Sequence, residues 1–220
     1  MISIDAITQF EEACGEIHIL IDYSKKNRAN FKRYAAFNKA AIVLLCAKFE
    51  ACLESFLEEY AYYHLNNSSN LTLNRDIFDH LVDCIIDLLE FNKKNKSKRK
   101  INIKELTELC GTSEVKPLSR YPINSKLRLG KHGQTEVERL LTSFGFALYV
   151  DNEETKVFFR SFNSLNNIRN NIVHEDATPS LTHQDVQNYL VVVSKFITGL
   201  QTVAIEQMEL IAEPSLASVI

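Results

Sequence analysis

Apolar residues recur at intervals of three and four along most of this chain, and no stretch of useful length alternates them with polar residues. That period belongs to helices packed on one face, so the pattern predicts an all-α protein. Helical intervals run from Ile2 to about Tyr23, and polar Lys25–Asn30 ends the segment. A very long helical pattern follows from Phe31 to His64, apolar nearly all round between Ala40 and Leu53, and the polar stop Asn66–Asn70 closes it. From Asn74 to Phe91 the residues Ile77, Phe78, Leu81, Val82, Ile85, Leu88 and Leu89 again form one stripe. The next stretch, 92–133, breaks the pattern. It offers one short helical candidate, Lys104–Leu109, among breakers at Gly111, Pro117, Pro122, Gly130 and Gly133. Thr135–Glu138 fits a capping box opening a short helix to about Phe144. Asp151 or Asn152 is placed to cap a helix reaching about Glu175, Thr178-Pro179 interrupts, and Thr182–Asp185 resembles another capping start for a last helix to about Leu210. The expectation is one helical bundle over residues 1–212, an irregular insert at 92–133 between its two halves, and a frayed tail at 213–220.

Charge changes this picture at one place. Residues 92–133 hold twelve Lys/Arg and three acids, a net +9, whereas the rest of the chain nets −12. A basic insert on an acidic body points to a polyanion-facing element. Its densest part is Lys93, Lys94, Lys96, Lys98, Arg99 and Lys100, for which the plainer reading is a solvated loop. The five cysteines are scattered, mostly inside apolar helical patterns, without zinc or redox spacing. With no signal peptide ahead of them, they read as reduced core residues of a cytoplasmic protein. The apolar stretch Ala40–Leu57 carries Lys48, Glu50 and Glu54, and no segment is read as crossing a membrane. His18 with Asp22 and His80 with Cys84 share helical spacing but lack a third ligand, so neither a metal nor a cofactor is expected. No glycine-rich phosphate loop is present, and Tyr60, Tyr62 and Tyr63 fit core or interface positions.

The chemistry that stands out is Arg169-Asn170-Asn171-Ile172-Val173-His174-Glu175. Arginine grips phosphate with parallel hydrogen bonds, and histidine titrates near neutrality, which together suffice for metal-free cleavage of a phosphodiester. The spacing has little weight of its own, because Arg75–His80 repeats it. Context separates the two. Phe158, Phe162, Leu165, Ile168 and Ile172 form one stripe with Arg169 inside it, and a cation on a core-facing stripe needs a partner or a purpose. The structural alternative is a buried ion pair with Glu50 of the central helix. His174 lies about 140° round the helix from Arg169, whereas Asn170 shares its face. For His174 alone, a cation favoured by the dipole of a helix C-terminus is the competing explanation.

Arg169–His174 resembles the signature of the HEPN superfamily, all-α bundles with an Arg-x4–6-His motif on a late helix, often with Asn directly after the Arg. Lys39–Glu50 resembles the second helix of its MAE_28990/MAE_18760-like branch. The order of elements is similar over most of the chain, and the residues are similar at these two places. The resemblance implies a metal-independent endoribonuclease acting as a homodimer, with the motifs of both chains facing one cleft. Carried over by position, Arg169, Asn170 and His174 match the motif, and Glu50 matches a polar position of the second helix. It implies a toxin or antiphage-defence effector, with RNA as substrate and a cognate antitoxin or defence-system protein as partner. The basic run would collect RNA electrostatically. Two alternatives stay open: a non-catalytic HEPN module binding a partner protein, nucleotide or nucleic acid, and a regulatory subunit whose insert binds nucleic acid without cutting it.

Overall fold

The computed structural model describes residues 2–127, 129–175 and 180–212, with side chains for all of these except 129–132 and 212. Eight helices are described: α1 (Asp5–Lys26), α2 (Phe31–Asn67), α3 (Arg75–Phe91), α4 (Lys96–Leu109), α5 (Leu129–Ser143), α6 (Ala147–Val150), α7 (Glu153–His174) and α8 (His183–Ala212). There is no strand among the described residues. The all-α expectation holds. The Thr178-Pro179 break and the 213–220 tail lie outside the described residues.

Local chemistry sets most helix starts. Asn30 accepts a hydrogen bond from the Arg33 amide, Asn74 from those of Asp76 and Ile77, and Asn152 from that of Thr155. Before α8, Thr182 and Asp185 form a reciprocal box: the Asp185 amide donates to Thr182 Oγ1 at 3.1 Å and the Thr182 amide to Asp185 Oδ2 at 2.8 Å. The first helix is capped from afar. The amides of Asp5 and Ala6 donate to the two oxygens of the Glu59 carboxylate at 2.7 and 2.9 Å, placing a negative charge at the positive end of α1.

The core unites α1, α2, α7 and α8. The central α2 is 37 residues long and packs against all three others. Its buried residues, among them Ala41, Leu45, Phe49, Leu53, Phe56 and Tyr60, lie at spacings of three and four. The junction of α2, α7 and α8 is an aromatic cluster. Phe49 meets Phe158 at 5.7 Å, Phe162 at 5.1 Å and Phe196 at 6.0 Å, and Phe158 stacks on Phe196 at 3.8 Å. This cluster fixes where α7 runs on α2. Among the described helices only α8 is long and apolar enough to cross a membrane. Its Val186, Leu190, Val193, Ile197, Leu200 and Ala204 form one face buried on α1, α2 and α7.

Residues 92–133 are more regular than the sequence suggested. The expected short helix at Lys104–Leu109 is the second half of α4, and the basic run forms its first half and the turn before it. Asn95 caps α4 through the Lys98 amide, and α4 packs on α3. The short helix expected from Thr135 is the part of α5 that follows a kink, although no Thr135–Glu138 box closes among the described residues. The kink falls at Gly133, where φ is +45°. A residue with a Cβ is strained at that angle, so glycine supplies the kink. Glu138 instead accepts from Gln134, and Glu136 pairs with Arg139 at 2.8 Å.

Candidate functional site

The site lies at the end of α7. Burial on this helix covers Thr155, Phe158, Phe159, Phe162 and Leu165, then weakens: Ile168, Arg169, Asn170 and Ile172 are half-buried, and Asn171 and His174 are exposed. The apolar stripe seen in the sequence is therefore real, but its last two turns lie at the edge of the core. Arg169 sits where a cation can keep some hydration while its stem covers apolar surface.

Arg169 Nη1 donates to Asn170 Oδ1 at 2.9 Å. Asn170 lies four residues before His174, about 40° away round the helix. The guanidinium is thus drawn toward the face that carries His174, which narrows the gap the spacing alone leaves. Arg169 is also close enough to α2 for its charge to act on two groups there. Burial pushes the Cys46 thiol up to about 12, with Arg169 opposing. Burial, then the neighbouring Glu54, raises the Glu50 carboxyl above its usual range, and Arg169 again opposes. The buried ion pair offered as the structural alternative does not form, since the seven ion pairs among the described residues do not include Glu50 with Arg169. Glu50 is an electrostatic neighbour of Arg169 rather than its direct partner. Cys46, which the sequence marks only as one member of an apolar run, is the other group of α2 on which Arg169 acts.

The competing Arg75–His80 copy is committed elsewhere. Arg75 pairs with Asp79 at 2.8 Å and lies over the Phe78 ring, exposed at the start of α3. His80 Nε2 lies 2.8 Å from the Asn124 carbonyl oxygen and 3.8 Å from Cys84 Sγ, and its ring packs on Phe144. These contacts tie α3 to the 110–127 segment. His18 lies on α1 with Nδ1 2.8 Å from the Cys14 carbonyl oxygen. Among the described residues no three His, Cys, Asp or Glu side chains are arranged to hold a metal ion.

Lys93, Lys94, Lys96, Lys98, Arg99 and Lys100 are all exposed, and none pairs with a carboxylate among the described residues. They ride on the α3–α4 pair, whereas α7 packs on α2, α5, α6 and α8. The fold brings Arg169, Asn170 and Glu50 together at one edge of the core and carries the basic run on a different part of the bundle. Tyr60 is buried in the core, Tyr63 is half-buried at its edge, and Tyr62 is exposed. Four cysteines are buried or half-buried and reduced, but Cys110 is exposed, outside the core position expected for it. An apolar cavity of about 340 Å³, lined by Tyr149, Thr155, Phe158, Phe196 and Gly199, opens at the opposite end of α7. It stands roughly 20 Å of helix from Arg169 and contributes nothing to this site.

Comparison with known proteins gives a family. The model of the family described as RiboL-PSP-HEPN matches residues 8–206, from the first helix into the last. The finer branch suggested by Lys39–Glu50 is not reached by that match. Comparisons with curated proteins and with solved structures found no match. With an all-α bundle that places Arg169–His174 at the end of its penultimate helix and a family match over nearly its whole length, the chain belongs to the RiboL-PSP-HEPN family of the HEPN superfamily.

Proposed function

We propose that this protein is a metal-independent endoribonuclease of the HEPN type, a cytoplasmic toxin or antiphage-defence effector that works as a homodimer on RNA. One observation supports it most. Of two Arg-x4-His copies, Arg75–His80 makes structural contacts, whereas Arg169 is held half-buried against Asn170 with His174 left exposed one turn past Asn170.

The reaction uses the RNA's own 2′-OH. Its oxygen forms a bond to the adjacent phosphorus as the bond from phosphorus to the 5′-oxygen breaks, leaving a 2′,3′-cyclic phosphate and a 5′-OH. His174 takes the proton from the 2′-OH or returns one to the departing 5′-oxygen. Arg169 stabilises the charge that builds on the phosphoryl oxygens. Asn170 orients the guanidinium, and Glu50 holds the local field that keeps it in place. A second copy of the chain would supply the other Arg–His pair across a shared cleft. DNA lacks the 2′-OH and is not a substrate.

The open position of His174, which no described side chain orients, favours one other reading: a non-catalytic HEPN module that binds a partner protein, nucleotide or nucleic acid. A cleavage assay in EDTA separates the two. The parent should cut RNA to cyclic-phosphate ends, His174→Ala and Arg169→Ala should each lose at least about 100-fold, and Arg75→Ala should cut like the parent. A folded, dimeric parent that leaves every RNA intact would favour the binding module. Equal cleavage by parent and His174→Ala would remove this site from the mechanism.

A further inference from the structure

Five of the nine residues from Asn163 to Asn171 are asparagine. Asparagine is a poor choice inside a helix, because its amide competes with the backbone for hydrogen bonds. Here the helix is regular throughout, and the asparagines fall into two rows with a step of four: Asn163, Asn167, Asn171 and, beside it, Asn166, Asn170, His174. Each row runs about 12 Å along α7. The second row ends on the proposed proton-transfer residue.

Few of these amides are used by the protein. Asn163 Nδ2 donates to Gln134 Oε1 at 2.5 Å, and Asn170 Oδ1 accepts from Arg169. Asn166, Asn167 and Asn171 make no side-chain hydrogen bond among the described residues, and Asn167 and Asn171 are exposed. The glycine kink of α5 faces this strip. A Cβ at Gly133 would lie 3.1 Å from Asn166 Nδ2 and 3.6 Å from Asn163 Oδ1, so the backbone of α5 closes the Asn163–Asn166 end of the rows. From Thr155 to His174 the helix carries no carboxylate, which would repel a nucleic-acid backbone. The helix that carries Arg75–His80 instead bears Asp76, Asp79, Asp83 and Asp87.

Each carboxamide offers a donor and an acceptor together and no charge. Phosphates take donors only and are held by cations, whereas base edges and the ribose 2′-OH present donors beside acceptors. We infer that the two asparagine rows of α7 read unpaired RNA bases flanking the scissile phosphate, and so set where the enzyme cuts. The inference rests on the ribonuclease reading for its substrate. It adds that specificity resides on α7, while the basic α4 contributes only attraction.

The test uses the dimeric full chain, with Asn167→Ala/Asn171→Ala as the variant, both positions being exposed. Cleavage positions and rates are mapped on a randomised single-stranded RNA library. In parallel, the same pair is changed in the His174→Ala background and the RNA sequences retained from the library are compared. The variant should cut at a broader set of sites, with KM about tenfold higher and kcat little changed, and should keep its dimer and melt no lower than the parent. In the His174→Ala background, the sequence preference of the bound RNA should flatten. An unchanged site map and KM would overturn the inference and leave the ribonuclease reading standing. Absence of cleavage by the parent, with a bound-sequence preference that the variant loses, would keep the rows as an RNA-reading surface and remove the nuclease. No preference in either form, or a variant that falls to monomer, would overturn the inference outright.

Discussion

At the residue scale, His64 shows what burial without a partner does. It is 2% exposed, both ring nitrogens lack a hydrogen-bond partner among the described residues, and its ring lies 4.4 Å from that of Tyr60. Burial lowers its pKa from 6.5 to about 4. The fold therefore holds the neutral ring. The associated stability is complete above the unfolded value of 6.5 and is lost as pH falls from there to about 4, by about 3 kcal/mol in all. Carboxylates also protonate near the bottom of that window, so the comparison must be with a variant. The expected outcome is that His64→Phe loses less stability than the parent between pH 6.5 and 4 in urea titrations; parallel losses would mean that His64 does not titrate in this way. Arg169 is the opposite case, a charged group kept at the edge of the core, where α2 shapes its surroundings without pairing with it. The same logic separates it from Arg75, which faces solvent at the start of α3 and pairs locally with Asp79.

At the element scale, one side chain gathers the start of the segment after α4. Asn70 Nδ2 donates to the carbonyls of Leu109, Gly111 and Ser113, and its Oδ1 accepts from the Val115 amide at 2.8 Å. The Leu118 amide then reaches Leu65 O at 3.0 Å, and Leu118 and Tyr121 are buried. Further on, Glu54 of α2 receives the Leu127 amide and the Lys126 ammonium. Of the three carbonyls, that of Leu109 is buried, and a buried carbonyl that loses its donor keeps the full desolvation penalty. Asn70→Ala should cost about 2–4 kcal/mol, read as a lower urea midpoint, with new protease cuts between residues 110 and 118. An unchanged midpoint and cut pattern would show that the packing of Leu118 and Tyr121 suffices.

At the scale of the whole molecule, charge and site are separated. The basic run, in the first half of α4 and the turn before it, carries the densest positive charge of an otherwise acidic body, while Arg169–His174 lies on the core bundle. Such a layout suits a polyanion that is gathered by one region and processed at another. Replacing Lys93, Lys94, Lys96, Lys98, Arg99 and Lys100 with glutamine should weaken RNA binding. The slope of log K against log salt should also flatten, by up to about 4 if each contacts one phosphate of a single strand. Filter binding between 50 and 200 mM salt would read it. A slope identical to that of the parent would place RNA on another face.

The sequence by itself determined the helices and most of their ends, because periodicity and caps act over a few residues: Asn152 and the Thr182–Asp185 box work where the pattern put them, and Asn30 and Asn74 cap helices that the periodicity had already bounded there. It also marked Arg169–His174, through one cation on an apolar stripe. It misread the basic run as irregular, since charge density hides a helix whose stability comes from packing on α3. What the tertiary structure decided are pairings between residues far apart in the chain. Glu59 caps α1 from 54 positions away, and Asn70 holds Val115 from 45. The different surroundings of the two Arg-x4-His copies are of the same kind. They arise once the helices are packed, and nothing in a five-residue spacing encodes them.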